Sequence, residues 1–197
     1  LIWKFPAKGF MDTIPLKISL DTKEKSLVFG GWGGSALGNI KQAYPENFLY
    51  VLNTKTGKLS YTFAVTPLKK WGFNSVSVGN SCGISPNGKF IGFSSSDGRV
   101  FLLDNEMGCK RGKPVLIYQK VISKPIGVNG IPIYAYGNKV VVSDNGGIIV
   151  LVGKTFIAPM AKGRVQFPDI KHPLENRLYK MDKNGNITWI WEAKGSI

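Results

Sequence analysis

Few side chains in this chain could do chemistry, and their spacing says which kinds are open to it. There is one histidine, His172, in the stretch "DIKHPLEN". A catalytic imidazole needs a nucleophile or a second titrating group, and no serine lies in a nucleophile-elbow pattern. A lone His beside a proline in a polar loop is expected at the surface. The two cysteines, Cys82 and Cys109, make no metal motif and no disulfide framework, although one bond between them would suit an exporting compartment. His and Cys together total three scattered residues, which does not suit zinc. "GGWGG", from Gly30 to Gly34, lacks the Lys-Ser/Thr ending and following helix of a phosphate loop. It is expected to be a flexible turn presenting Trp32. Five acids, Asp21, Asp97, Asp104, Asp144 and Asp182, fall at turn positions, where capping accounts for them. A calcium site would need several of them to converge.

The remaining charge is basic. Lys and Arg number 26 against 12 acids, a net charge of +14. Such a field attracts anionic partners in general. The cations are spread along the chain, and no aromatic-basic interleaving marks a nucleic-acid platform. Their densest cluster, "CKRGK" from Cys109 to Lys113, is expected in a solvated turn, with Lys110 and Arg111 as its most available cations. A phosphate patch is the sharper reading of the same residues. No apolar run approaches the roughly 20 residues of a membrane-spanning helix. The first residues carry no charged-then-apolar leader pattern.

The elements that must position these residues are strands. The chain is 43% hydrophobic, 12% aromatic and rich in turn formers, with 24 Gly and 11 Pro. This composition favours a folded all-β protein. One phrase occurs three times: an apolar strand, then Asn or Asp, then Gly. The copies are Leu49–Asn53 with Gly57, Val100–Asp104 with Gly108, and Leu178–Asp182 with Gly185. Each reads as a hairpin turn into a second strand with period-two aromatics, such as Tyr61 and Phe63 or Trp189 and Trp191. A further hairpin precedes each copy, with turns expected at "DTKEK", "SPNGK" and "GNK". Each unit is thus a four-stranded meander. Taking Trp3, Tyr61, Leu116 and Trp189 as equivalent outer-strand positions gives spacings of 58, 55 and 73 residues. Units of that size and content are read as propeller blades.

"ISPNGKFIGFSSSDGRVFLLDN", Ile84 to Asn105, resembles the core of a WD-repeat blade. "NTKTGKLSY", Asn53 to Tyr61, is similar to the repeat phrase of quinoprotein-like (PQQ-like) propellers, as is "DKNGNITW", Asp182 to Trp189. The Trp-Asp and Gly-His pairs of WD repeats are absent. So are the adjacent cysteines of many quinoprotein dehydrogenases. The resemblance implies a β-propeller.

The expected fold is therefore an all-β propeller segment of about three four-stranded antiparallel blades plus an orphan outer strand. The blades are expected at 8–66, 67–122 and 123–197, with the orphan strand at 1–7, where Trp3 and Phe5 alternate. Three blades do not close a ring, so both end faces are expected to be apolar and short of a neighbour. Outer-strand aromatics, Trp3, Tyr61, Trp189 and Trp191, are expected to pack between blades. Two long insertions, Gly31–Asn47 and Gly153–Asn176, separate second and third strands. Loops on a rigid scaffold concentrate binding residues. The expected partner-binding positions are Trp32, Tyr44, Lys110, Arg111, Arg164 and His172. The function expected is a non-catalytic scaffold for a protein partner or for further blades. One alternative is part of a PQQ-like propeller enzyme or redox complex, with PQQ or calcium as cofactor and its active residues elsewhere. Another is an anionic or carbohydrate binder. No cofactor is otherwise expected, and an exported or cell-surface location is favoured.

Overall fold

The computed structural model describes residues 3–7, 17–31, 45–68, 76–78, 81–128, 131–156 and 172–193. Period-two alternation yields three antiparallel sheets, each a meander in chain order. The first joins β1 (Ile18–Leu20), β2 (Ser26–Gly30), β3 (Phe48–Asn53) and β4 (Leu59–Ala64). The second joins β5 (Cys82–Ile84), β6 (Phe90–Ser94), β7 (Arg99–Asp104) and β8 (Leu116–Val121). The third joins β10 (Ile131–Val142), β11 (Ile148–Phe156), β12 (Arg177–Met181) and β13 (Ile187–Glu192), with a short extra strand, β9 (Ile126–Val128), beside β10.

The sheets pack face on face in sequence. Val28, Leu49, Val51 and Tyr61 of the first meet Ile84, Ile91, Phe93, Phe101 and Leu103 of the second. Phe93 and Phe101 stack with centroids 4.6 Å apart, and Phe63 meets both edge-on at 5.7 Å. Phe90, Val100 and Leu102 meet Val140, Val142, Ile148, Val150, Tyr179 and Met181 of the third sheet in the same way. Innermost strands touch as well: the Ile84 amide donates to Ser19 Oγ at 3.2 Å, and Lys17 Nζ donates to the Asn138 carbonyl at 2.8 Å. Three radial, four-stranded blades in succession are the architecture of a β-propeller arc.

One device recurs from blade to blade. The third and fourth strands carry a register shift at the same place in every blade: Val51/Leu52, Leu102/Leu103 and Lys180/Met181. Beside each shift stands an aromatic, Tyr61, Tyr118 and Trp189, opposite Val51, Leu102 and Lys180; Tyr61 and Tyr118 face the next blade, and Trp189 holds the same place on the third. The Tyr61 ring lies 2.8 Å from where a Cβ on Gly108 would stand, and the Tyr118 ring 3.1 Å from one on Gly185. A Cβ at 108 would overlap the Tyr61 ring, and one at 185 would crowd Tyr118 on a backbone with φ of 82°. The equivalent outer-strand residue in the second blade is thus Tyr118 rather than Leu116: Tyr118 pairs with Leu102 as Tyr61 pairs with Val51, whereas Leu116 lies past the one-residue bulge, opposite Leu103, as Leu59 lies opposite Leu52.

Residues 3–7 repeat this device without forming a strand. Trp3 lies 2.6 Å from a Cβ on Gly57, and its Nε1 donates to the Thr54 carbonyl at 2.5 Å. Phe5 meets Phe29 edge-on at 6.1 Å, and Phe29 stacks on Tyr50 at 5.1 Å. Trp3 and Phe5 therefore stand to the first blade as Tyr61 and Phe63 stand to the second. The first blade's outward face, Phe29, Tyr50 and Leu52, is buried beneath this segment. The third blade's outward face is open: Val141 is 55% exposed, Trp189 40% and Trp191 51%. Of the four aromatics expected between blades, Trp3 and Tyr61 pack and the two tryptophans of β13 do not.

Two turns differ from expectation. "GNK" is no turn; β10 runs through it with a bulge between Gly137 and Lys139, and the chain reverses at Ser143–Gly147. The second copy of the strand–turn phrase also changes. Asp104 caps a helix, α1 (Asn105–Arg111), by accepting from the Met107 amide at 2.9 Å. Gly108 sits buried within that helix, and "CKRGK", solvent-exposed as expected, is its last turn and C-cap rather than a hairpin turn.

Candidate functional site

A four-stranded meander sends its connections to two opposite ends. Tight turns at 21–25, 85–89 and 143–147, with those at 53–58, 104–115 and 181–186, occupy one end. The other receives the second-to-third-strand connections and the crossings between blades. Both long insertions reach this second end, which makes it the loop face.

The described part of that face is tied together by buried polar groups. Asp97 and Arg99 are both buried and form a two-point pair, Nε to Oδ1 at 3.0 Å and Nη2 to Oδ2 at 2.5 Å. Arg99 Nη2 also donates to the Thr66 carbonyl at 2.6 Å, and its guanidinium lies 5.2 Å from the centre of the Phe101 ring. Ser95 Oγ donates to Asp97 at 2.5 Å. The β6–β7 turn thereby grips the crossing from the first blade to the second. Every lone pair and N–H so engaged lowers the cost of burying the charges.

The crossing from the second blade to the third is gripped by His172, which is 3% exposed. The Leu174 amide donates to its Nδ1 at 3.1 Å, so Nε2 carries the proton and donates to the Lys124 carbonyl at 3.1 Å. The His172 amide donates to Glu175 at 3.0 Å. The residue expected at the surface is a latch between the end of the second insertion and the blade crossing. Both its ring nitrogens are consumed, which leaves no free base. Alongside it runs a groove of about 450 Å³ lined by Val121–Ile126 and His172–Leu174. Its walls are mainly aliphatic and prolyl, with exposed Lys124 at the rim.

Among the other expected positions, Lys110 and Arg111 do not join this groove. Lys110 and Arg111 are exposed on α1, at the turn end, where Lys110 pairs with Glu106 at 2.7 Å. The Glu106 carboxyl is held below its usual range, first by that hydrogen bond. Trp32, Tyr44 and Arg164 lie outside the described residues. The five turn acids are all engaged, four within their own turns and Asp144 across to the second blade. Asp21 accepts from the amides of Lys23, Lys25 and Ser26, Asp144 from Asn87, and Asp182 from Asn184 and Asn186. Those hydrogen bonds, led by the Asn186 side chain, hold Asp182 below the usual carboxylate range. Among the described residues no group of three or more His, Cys, Asp or Glu could hold a metal. Both cysteines are free. Cys82 is buried in β5, where burial pushes its thiol up to about 12, and Cys109 is exposed on α1. No described helix is long and apolar enough to cross a membrane.

The groove and the Asp97–Arg99 clamp were missed from sequence. "SSDGR" held a usable signal, a charged pair flanking the glycine of a turn between two strongly apolar strands. The groove had none, because its walls come from segments about 50 residues apart.

No family model matches the sequence, and no curated protein does. Among solved structures the chain is similar to BamB from Moraxella catarrhalis, with 13% identity and a TM-score of 0.45 over 89% of this chain and 35% of that one. It is also similar to Hsv2 from Kluyveromyces marxianus, with 10% identity and a TM-score of 0.48 over 89% of this chain and 45% of that one. The chain thus spans less than half the length of either. The blade architecture rests on the three sheets themselves.

Proposed function

We propose that this arc of propeller blades is a non-catalytic binding module whose loop face receives a protein partner. The observation that carries the reading is the aliphatic groove beside His172, set between the crossing from the second blade to the third and the end of the second insertion. Its floor is fixed by the His172 latch, and a fixed apolar cleft suits a partner segment with apolar anchors. Exposed Lys124 at its rim and the net charge of +14 favour acidic residues flanking those anchors. The side chains with catalytic potential support the same reading. His172, Asp97 and the other turn acids spend their hydrogen bonds on holding the scaffold.

The test is site-specific photo-crosslinking in the protein's own cells. A crosslinker at Pro173 or Lys124 is expected to trap one discrete protein. The same group at Lys55 or Lys183, on the turn end, is not. Equal trapping from both ends, or none from the groove, would sink the proposal. Retention on heparin that falls steeply with salt, without any crosslinked partner, would instead favour the anionic-ligand reading.

A further inference from the structure

The open face of the third blade repeats a pattern used twice inside the chain. Across the first blade a row Val28–Val51–Tyr61 faces the second blade, and across the second blade Gly92–Leu102–Tyr118 faces the third. The matching row in the third blade is Val141–Ile149–Lys180–Trp189, beside a second row Leu151–Leu178–Trp191. The buried rows end in aromatics that lie on glycines, Tyr61 on Gly108 and Tyr118 on Gly185. Trp189 has no such seat.

A seat exists on the first blade. Gly57 demonstrably accepts an indole ring from outside its own blade, since Trp3 lies on it. The stacked pair Phe29–Tyr50 receives Phe5 edge-on, as Phe93–Phe101 receives Phe63. Trp189 and Trp191 have the same two-residue spacing as Trp3 and Phe5 and the same repeat position. Lys180 replaces the Val51 and Leu102 of the buried rows. It would need a cation-tolerant neighbour, and Phe29, Phe48 and Tyr50 form an aromatic wall on the receiving face. Lysine over an aromatic already occurs in this protein, with Lys183 Nζ 5.0 Å from the centre of the Phe90 ring.

We infer that the third blade docks onto the first blade of a second copy of this chain, with Trp189 and Trp191 displacing Trp3 and Phe5. Two copies related by a two-fold axis make this contact twice. The result is a ring of about six blades, inside the range of four to eight that propellers use. Trp3 is then an intramolecular competitor that keeps dilute chains monomeric. The inference is independent of what the loop face binds, since the blade faces and the groove share none of these residues.

Light scattering across a wide concentration range tests it. The expected species are a single chain of 21.6 kDa and twice that mass, with nothing larger. Trp189→Ala is expected to weaken dimerisation about tenfold or more, as loss of a central aromatic anchor does. Trp3→Ala is expected to do the opposite and tighten it, because the competitor is gone. Opposite signs for two tryptophans are not the behaviour of general destabilisation. Ile149→Lys, at an exposed position, serves as a second variant and is expected to hold the chain monomeric with its fold unchanged by circular dichroism. A chain that stays monomeric at every concentration would overturn the inference. So would masses that climb past the dimer, or equal effects of Trp3→Ala and Trp189→Ala. Groove crosslinking is expected to survive Ile149→Lys, so loss of the ring and loss of the partner are read separately.

Discussion

Asp97 is the side chain whose loss should tell most about the loop face. Its removal would leave Arg99 buried against Phe101 with one carbonyl, Thr66, as its strong remaining acceptor. Breaking a buried pair from one side costs about 3–5 kcal/mol. Asp97→Ala is therefore expected to lower the urea midpoint by a corresponding amount. Asp97→Ala with Arg99→Met, which removes both charges, should recover much of that loss. The thiols supply a second test. Ellman's reagent is expected to titrate Cys109 in the native protein and Cys82 only after unfolding. The sign of the pH effect follows from Cys82 being raised from 9.0 to about 12 in the fold. Below pH 9 the thiol is neutral folded or unfolded, and its contribution is fully present. Between pH 9 and 12 the unfolded chain sheds the proton first, so stability drains away as pH rises. Chemical denaturation of Cys82→Ala should show a shallower decline over that interval, and an identical decline would contradict the assignment. His172 shows the limit of reading single residues. Pro and charged neighbours made it look solvated, but the Lys124 carbonyl and Leu174 amide that bury it come from the fold.

At the scale of elements, the strands were legible because alternation, Asx-Gly turns and aromatic spacing all pointed the same way. The errors have physical causes. "GNK" has turn composition, yet a β-bulge also inserts one residue where the strand must bend, and composition does not separate the two. The α1 helix is too short to show a helical period. It did carry termination signals: Asp104 at the N-cap, Glu106 in the first turn, Lys110 and Arg111 in the last and Gly112 with φ of 63° after it. The repeat phrase outweighed them because Gly108 stood where a hairpin glycine was expected. The structure gives Gly108 another purpose, as the floor for Tyr61. Gly108→Val is accordingly expected to cost about 1–3 kcal/mol from overpacking against the ring. Tyr61→Phe removes its hydroxyl bond to Asn105 Oδ1 at 2.8 Å and should cost about 1–3 kcal/mol by leaving a buried amide group short of a partner. In the double variant Gly108→Val, Tyr61→Ala the steric part of the valine penalty should vanish, which a denaturation cycle would read directly.

For the whole molecule, the blades and the end faces were anticipated, but their asymmetry was not. Repeat grammar gives both end faces the same residue classes. It places Trp3 and Phe5 as an outer-strand segment against the first blade, which the structure bears out, but it gives Trp189 and Trp191 the same packed role, and their face is open. The second blade alone has a full blade on each side, through the Phe93–Phe101 stack and the Leu102–Val150 side. Apart from the Lys17 bond to the Asn138 carbonyl, the blade faces pack only against neighbouring blades, so the chain approximates a short one-dimensional array in which stability is a sum of unit and interface terms. Local opening should then follow position along the array. Amide hydrogens of β6 and β7 are expected to exchange last, those of β2 and β3 earlier, and those of β12 earlier still. Exchange at one uniform rate across all three sheets would mean that the arc opens as a single unit. A graded pattern would mean that folding can start in the middle blade and spread outward, so that the tryptophan-bearing face of the third blade is the last surface to be held in place.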